Sequence, residues 1–166
     1  MTAENTRAAV FRLARPDEKN AVLALYQTVI GTPFCVWNDA YPGMWEIEHD
    51  LAADSLFVLE EAGRLIGAAS VAPENELEEQ SVWTPCEKPG ELARVVVRPE
   101  MQGRALSRLL VSSVLDEMKK RGFDNARLSV EVNHLPAQKC YLRLGFTEVG
   151  QCTMWGHSYL LMERKL

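Results

Sequence analysis

Apolar positions recur along this chain with two different periods, and each change of period marks a change of element. Over residues 9–14 apolar side chains alternate around Arg12, a period of two that predicts a short strand. Arg15-Pro16-Asp17 interrupts it, and Ala21, Leu25, Thr28 and Val29 then recur at helical spacing. Residues 31–43 hold Pro33, Phe34, Trp37, Tyr41 and Pro42, too proline-broken for a long element, so they read as a loop with rings to bury. A second helix follows over 44–53. Residues 55–60 and 64–71 then predict two antiparallel strands around Glu61-Ala62-Gly63.

The segment 73–90 carries Glu74, Glu76, Glu78, Glu79 and Glu87, and Pro73, Pro85 and Pro89 exclude a long regular element there. Strand character resumes over 92–97. The helix after it places Leu106, Leu109, Leu110, Val114 and Met118 on one face before Gly122 ends it. Ala126, Leu128, Val130 and Val132 alternate with Arg127, Ser129 and Glu131, a half-buried strand. Strand, helix, strand in this order predicts a parallel pair joined by a right-handed crossover. A helix over 135–144, a strand over 146–149 and a last strand over 154–162 complete the reading. With no internal repeat, low-complexity tract or linker, residues 1–166 are read as one domain.

Composition narrows the class. The 166 residues are 47% hydrophobic and 25% charged with a formal charge of −5, as in ordinary soluble proteins, and nothing in that balance points to nucleic acid. No run approaches the roughly 20 apolar residues a bilayer requires, and the start lacks a signal-peptide core. The expectation is therefore a cytoplasmic protein with no membrane partner. Cys35, Cys86, Cys140 and Cys152 are widely spaced with no Cys-x-x-Cys pair, so they read as reduced thiols, with no metal site.

Chemistry concentrates at one junction. Residues 95–110 read Val-Val-Val-Arg-Pro-Glu-Met-Gln-Gly-Arg-Ala-Leu-Ser-Arg-Leu-Leu, an apolar strand that enters an amphipathic helix through a small-residue turn. A helix start leaves its first N–H groups without intrahelical partners and carries about half a positive charge, so it favours an anion such as a pyrophosphate. A strand-to-helix turn that merely changes direction is the plainer alternative. A nucleotide-binding P-loop is disfavoured, because Gln102-Gly103-Arg104-Ala105 supplies no lysine for a terminal phosphate.

This segment resembles the acetyl-CoA signature of the GNAT superfamily of N-acyltransferases, usually Val-x-Pro-x-x-Arg/Gln-Gly-x-Gly-x-Gly/Ala. A later stretch is similar to a second family motif: Leu128-Ser129-Val130-Glu131-Val132-Asn133, then Cys140-Tyr141-Leu142-Arg143-Leu144-Gly145-Phe146. With the order of elements, the likeness covers nearly the whole chain. It departs at Ala105 and Ser107, which replace two glycines of the turn, and in the eight residues from Asn133 to Tyr141, where seven is usual. Alanine in a first helical turn carries no propensity penalty, and Ser107 adds a hydroxyl donor.

The resemblance implies an α/β fold with a mixed, mostly antiparallel central sheet of six or seven strands, a splayed parallel pair and about four helices. It implies acetyl-CoA as acyl donor. The amides around Gly103, Arg104, Ala105, Leu106 and Ser107 would hold the pyrophosphate, Gln102 would shape the turn, and Arg104 and Arg108 would add charge. The strand edge at Val95, Val96 and Val97 would pair with the pantetheine arm, since such an edge offers unpaired N–H and C=O groups. Asn133 would contact that arm, its alternative being a turn or helix cap. Tyr141 would act as general acid, its alternative being a core ring with its hydroxyl satisfied.

Glu91 opens the strand that would present the thioester and is a candidate base, because an alkyl ammonium near pKa ~10 must lose a proton before it attacks. Otherwise it is a solvated strand end. Glu46, Glu48, His49, Asp50 and the acidic segment after Pro73 could draw a cationic amine in, or simply form a wet face. Cys140 could form an acyl-cysteine, the bland reading being a core thiol. Trp37, Tyr41, Pro42 and Trp45 pack the core or wall the acceptor pocket. The implied activity is transfer of an acetyl group to a primary amine of a small molecule or peptide by direct attack, with a homodimer possible. The rivals are a catalytically inactive acyl-CoA-binding regulator and an α/β protein whose turn binds another phosphate compound.

Overall fold

Strand and helix periods resolve in the computed structural model into one seven-stranded sheet with helices on both faces. The structure describes residues 8–72, 77 and 80–166. In chain order the elements are β1 (Val10–Leu13), α1 (Lys19–Gln27), α2 (Met44–Ala52), β2 (Leu56–Glu61), β3 (Arg64–Ala72), β4 (Pro89–Val97), α3 (Leu106–Lys120), β5 (Asn125–Glu131), α4 (Leu135–Arg143), β6 (Thr147–Met154) and β7 (His157–Lys165). Short 3-10 turns at Pro16–Glu18 and Pro99–Met101 lead toward α1 and α3. The strand order is β1-β2-β3-β4-β5-β7-β6. Every neighbouring pair is antiparallel except β4 with β5, the pair that α3 connects. The mixed sheet and single parallel pair match expectation.

The two faces bury different helices. On one, Leu106, Leu110, Val111, Val114, Leu115 and Met118 of α3 pack against Leu59, Ile66, Leu92, Val97, Ala126, Leu128 and Val130. On the other, Val22, Leu25 and Tyr26 of α1 and Ile47 of α2 pack against Leu56, Val58, Ala68 and Val96. Leu77 and Trp83 extend that second face over Leu161 of β7. Leu109, expected on the buried stripe of α3, is instead 43% exposed. The stripe runs through 106, 110, 114 and 111, 115, 118, at the i, i+3 and i, i+4 spacings of one helical face.

Two strand predictions need correction. The span 154–162 is not one strand, because Trp155 and Gly156, at φ 49° and 78°, turn the chain tightly between β6 and β7. Two consecutive residues at positive φ fit a two-residue hairpin, the geometry also seen at Ala62 and Gly63. Upstream, β4 starts at Pro89 rather than 92, since proline is tolerated as a strand's first residue. Gly90 is required there: a Cβ would meet the Phe123 ring at 2.8 Å and the Met118 methyl at 2.9 Å. The acidic run at Glu74, Glu76, Glu78 and Glu79 lies outside the described residues. Among the described residues, no helix is long and apolar enough to cross a membrane.

Candidate active site

The sheet opens where the parallel pair β4 and β5 would continue. Strands β4 and β5 are in register at Pro89 with Asn125, Gly90 with Ala126, and Glu91 with Arg127, and there the ladder ends. Beyond it β4 runs on along β3 to Val97, and β5 runs on along β7 to Glu131. A bulge directs the departure. Ser70 opposes Ala93 and Ala68 opposes Val96, so Ala69 alone faces both Arg94 and Val95, and Arg94 sits at φ 50°. The extra residue also shifts parity along β4. Leu92, Val95 and Val97 meet the α3 face, whereas Arg94 and Val96 turn to the α1/α2 face.

A groove of about 1790 Å³ occupies the opening. The Arg98 amide donates to Ile66 of β3 at 2.9 Å, so by the alternation of an antiparallel ladder the Val97 amide faces the opening. Val95, Val96 and Val97 all line the groove, with Ser129, Val130 and Glu131 on its far side.

At the end of β4 the chain turns through Pro99–Met101, and Gly103 at φ 87° and Ala105 at φ 58° bring it into α3. Ala105 is the N-cap of α3 rather than a residue of its first turn. Its left-handed backbone, suited to glycine, costs alanine roughly 1 kcal/mol, so the expectation of no penalty is corrected. Among the described residues none accepts a hydrogen bond from the amides of residues 103–108, whereas Leu109 donates back to Ala105 at 3.1 Å. Unpaired N–H groups in sequence at a helix start form an anion cradle. Gln102, Gly103, Ala105, Leu106, Ser107 and Arg108 line the groove.

Arg104 does not add its charge there. Its guanidinium pairs with Glu61 of the β2–β3 hairpin at 2.6 Å and lies off the groove, leaving only its amide in the turn. Cations that sequence reasoning missed line the groove instead: Lys139 and Arg143, one turn apart on α4. Their i, i+4 spacing after the Asn133 motif was the available signal. Arg108 and Arg143 both act electrostatically on Cys140, which places them on the same rim.

Tyr141 is buried, lines the groove and stands edge-on to Phe146 at 5.7 Å between centroids. Burial, and then the neighbouring Cys140, hold its phenol well above the ordinary value, so it stays protonated at neutral pH. Burial raises the Cys140 thiol as well, against a nucleophilic thiolate. Glu91 lines the groove at the fork, the last β4 residue paired with β5. Asn133 lies away from it: its amide and side chain both donate to Glu131, at 2.8 and 3.1 Å. Nor does Asn133 cap α4, a role taken by His134, whose Nδ1 accepts from the Ala137 amide at 3.3 Å.

On the α1/α2 face the groove ends among rings. Trp37, Tyr41 and Trp45 line it, as do Trp155 and Tyr159 from the β6–β7 hairpin; Pro42 does not. Trp37 also packs edge-on against the buried Tyr26. Trp45 stacks on His49 at 5.1 Å. Burial raises the Tyr159 phenol, helped by Glu131 and then Tyr41, and all three residues line the groove. Glu46, His49 and Asp50 line the groove, and Glu46 also accepts the Gly43 amide, while Glu48 faces out to Lys19. Asp50 is 2% exposed and takes Ser70 Oγ at 2.7 Å and the Arg94 guanidinium at 2.8 and 2.9 Å. Arg94, a lone cation inside an apolar strand, was visible in the sequence but was not singled out. Among the described residues no group of three or more His, Cys, Asp or Glu could hold a metal ion.

A parted strand pair thus lies beside a row of helix-start amides that have no acceptor among the described residues. The chain belongs to the acetyltransferase (GNAT) family, whose model matches residues 22–146. A mycothiol acetyltransferase of Tsukamurella paurometabola is 39% identical over 80 residues, 46% of this chain; the chain covers 27% of that relative's length. Among solved structures, yncA of Salmonella typhimurium, determined with its cofactor acetyl-CoA, superposes with a TM-score of 0.76 at 21% identity, covering 95% of this chain and 94% of that one. A ribosomal-protein-alanine N-acetyltransferase of Brucella melitensis gives the same TM-score and identity over 95% of this chain and 99% of its own.

Proposed function

We propose that this protein transfers the acetyl group of acetyl-CoA to a primary amine of a small molecule or peptide by direct attack. The observation that carries the reading is the row of unpartnered amides at residues 103–108, opening onto the split between β4 and β5. Those residues fit the donor: the amides of 103–108 would hold its diphosphate, with Arg108, Lys139 and Arg143 on the rim. The facing edges of β4 and β5 would bind the pantetheine arm as an inserted strand. Acetyl-CoA supplies the activated acyl carbon.

The chain's own groups supply the rest. The Val97 amide faces the opening and is placed to donate to the carbonyl oxygen as negative charge builds on it, an effect often worth several kcal/mol. Tyr141 keeps its proton at neutral pH and can give it to the departing thiolate. Glu91, directly or through water, would relieve the incoming ammonium of its proton before attack. Thiol release from acetyl-CoA against a panel of amines, alongside thermal shift with CoA, tests the reading. Turnover with at least one amine is expected. CoA binding with no turnover on any amine would turn it into a binding protein of the same fold, and no CoA binding would remove it.

A further inference from the structure

One side chain of the groove has no part in that chemistry yet is held with care. Arg94 sits in the β4 bulge at φ 50°, which turns it toward α2 rather than α3. Asp50, buried and also held by Ser70, takes two of its nitrogens, Nε at 3.2 Å and Nη2 at 2.8 and 2.9 Å. Among the described residues the remaining nitrogen, Nη1, makes one long contact, 3.5 Å to the Tyr41 hydroxyl. Arg94, Asp50 and Tyr41 all line the groove, at its ring-lined end.

We propose that Arg94 determines acceptor specificity: clamped by Asp50, it presents Nη1 to an oxygen of the acyl group adjacent to the reacting amine, so the acceptor is an α-aminoacyl compound. This rests on the acetyltransferase reading. Asp50 cancels the charge of the guanidinium, so the arginine acts as a fixed, directional donor and does not repel an approaching ammonium. Glu131 lines the groove from β5, and its carboxylate, which also accepts from Asn133, would face that ammonium across the pocket. An amine without a neighbouring oxygen would cover Nη1 and leave it only the long Tyr41 contact, and a donor desolvated without a good partner lets a site reject such a ligand. Free amino acids, aminoacyl conjugates and peptide N-termini share this unit, a primary amine one carbon away from a carbonyl.

The test compares L-alaninamide with sec-butylamine, which lacks the carbonyl, adding L-alanine and spermidine. Acetyl-transfer kcat/KM and calorimetric binding to the CoA-loaded protein are both measured. With kcat/KM referred to the free-base concentration of each amine, wild type should favour L-alaninamide over sec-butylamine about tenfold or more, chiefly through KM. A relative rate for L-alanine above that for L-alaninamide would assign the natural oxygen to a carboxylate, the reverse to a carbonyl, and either supports the proposal. Arg94→Lys keeps a cation for Asp50 but has no second arm, so it should fold normally while the preference falls to about twofold. Asp50→Asn combined with Arg94→Gln, which removes both charges, should do the same if the lysine variant misfolds.

Equal kcat/KM and equal binding for L-alaninamide and sec-butylamine in wild type would overturn the proposal. So would a preference that survives in Arg94→Lys, or spermidine as the best acceptor. The binding arm decides even without turnover. Loss of CoA binding would sink the acetyltransferase reading itself, a separate result.

Discussion

At the scale of single residues the turn before α3 holds a conformational cost that can be measured. Ala105 adopts φ 58° at an N-cap, where alanine is disfavoured both by its Cβ and by its lack of a capping group. Ala105→Gly is expected to raise the unfolding free energy by about 1 kcal/mol, read as a higher urea midpoint with unchanged slope. Tyr141 makes the complementary case. Its ring belongs to the core while its hydroxyl, among the described residues, has no protein hydrogen-bond partner. Tyr141→Phe should therefore keep the wild-type urea midpoint and lower kcat about a hundredfold or more. The Ala105 strain could not be read from the sequence, because helical propensity describes an interior position and the backbone angle of a cap is set by where the chain must enter the helix.

At the scale of elements, the β1 to α1 corner is pinned by charge. Arg12 donates to Glu18 at 2.7 and 2.8 Å and to Glu60 of β2 at 2.9 Å, while Glu18 also accepts the Arg15 amide. The hydrogen bond from Arg12 first, and then that from the Arg15 amide, outweigh burial and hold the Glu18 carboxyl down to about 2. A carboxyl with a lowered folded-state pKa contributes stability that is complete above its ordinary value of 4.5 and is lost as pH falls toward 2. Urea midpoints taken from pH 7 to pH 2 should show this loss, and Glu18→Gln should be less stable at pH 7 with a flatter acid limb.

The same scale shows why some elements were legible and others were not. Strands that alternate cleanly, such as β5, and helices with regular apolar rows, such as α2, were found within a residue or two of their ends. The β6–β7 turn was missed because tryptophan, a strand-favouring residue, occupies a left-handed position that asparagine or glycine usually announces. The bulge at Arg94 was invisible for a related reason. A period of two tells which face a side chain shares, but one inserted residue reverses the assignment for everything beyond it. Thus the left-handed turn at Gly103 and the strand end at Val97 lie where the motif put a turn and a strand end. The side chains at the ring-lined end of the groove, Arg94 and Tyr159, depend on tertiary register, which the sequence pattern does not carry.

At the scale of the whole molecule, the two faces of the sheet divide the work. The α3 side holds the helix-start amides and Tyr141, and the α1/α2 side holds the ring-lined end with Asp50 and Arg94. A ligand that binds only the folded chain stabilises it by mass action, so CoA at 100 times its Kd should add about 2.7 kcal/mol to the unfolding free energy. The gain should be seen as a concentration-dependent rise in Tm, reduced in Gly103→Ala, where the added methyl strains a backbone at φ 87°.

Because the β4–β5 ladder runs over three residue pairs, β1–β4 and β5–β7 form two panels joined by a short seam around Pro89–Glu91. A tail laid into the gap would lace them together. In deuterium labelling, the Val97 amide should then pass from rapid to slow exchange while the Val96 amide, which the ladder turns toward β3, scarcely changes. The pattern of every second hydrogen along one strand would thus record whether the gap is filled.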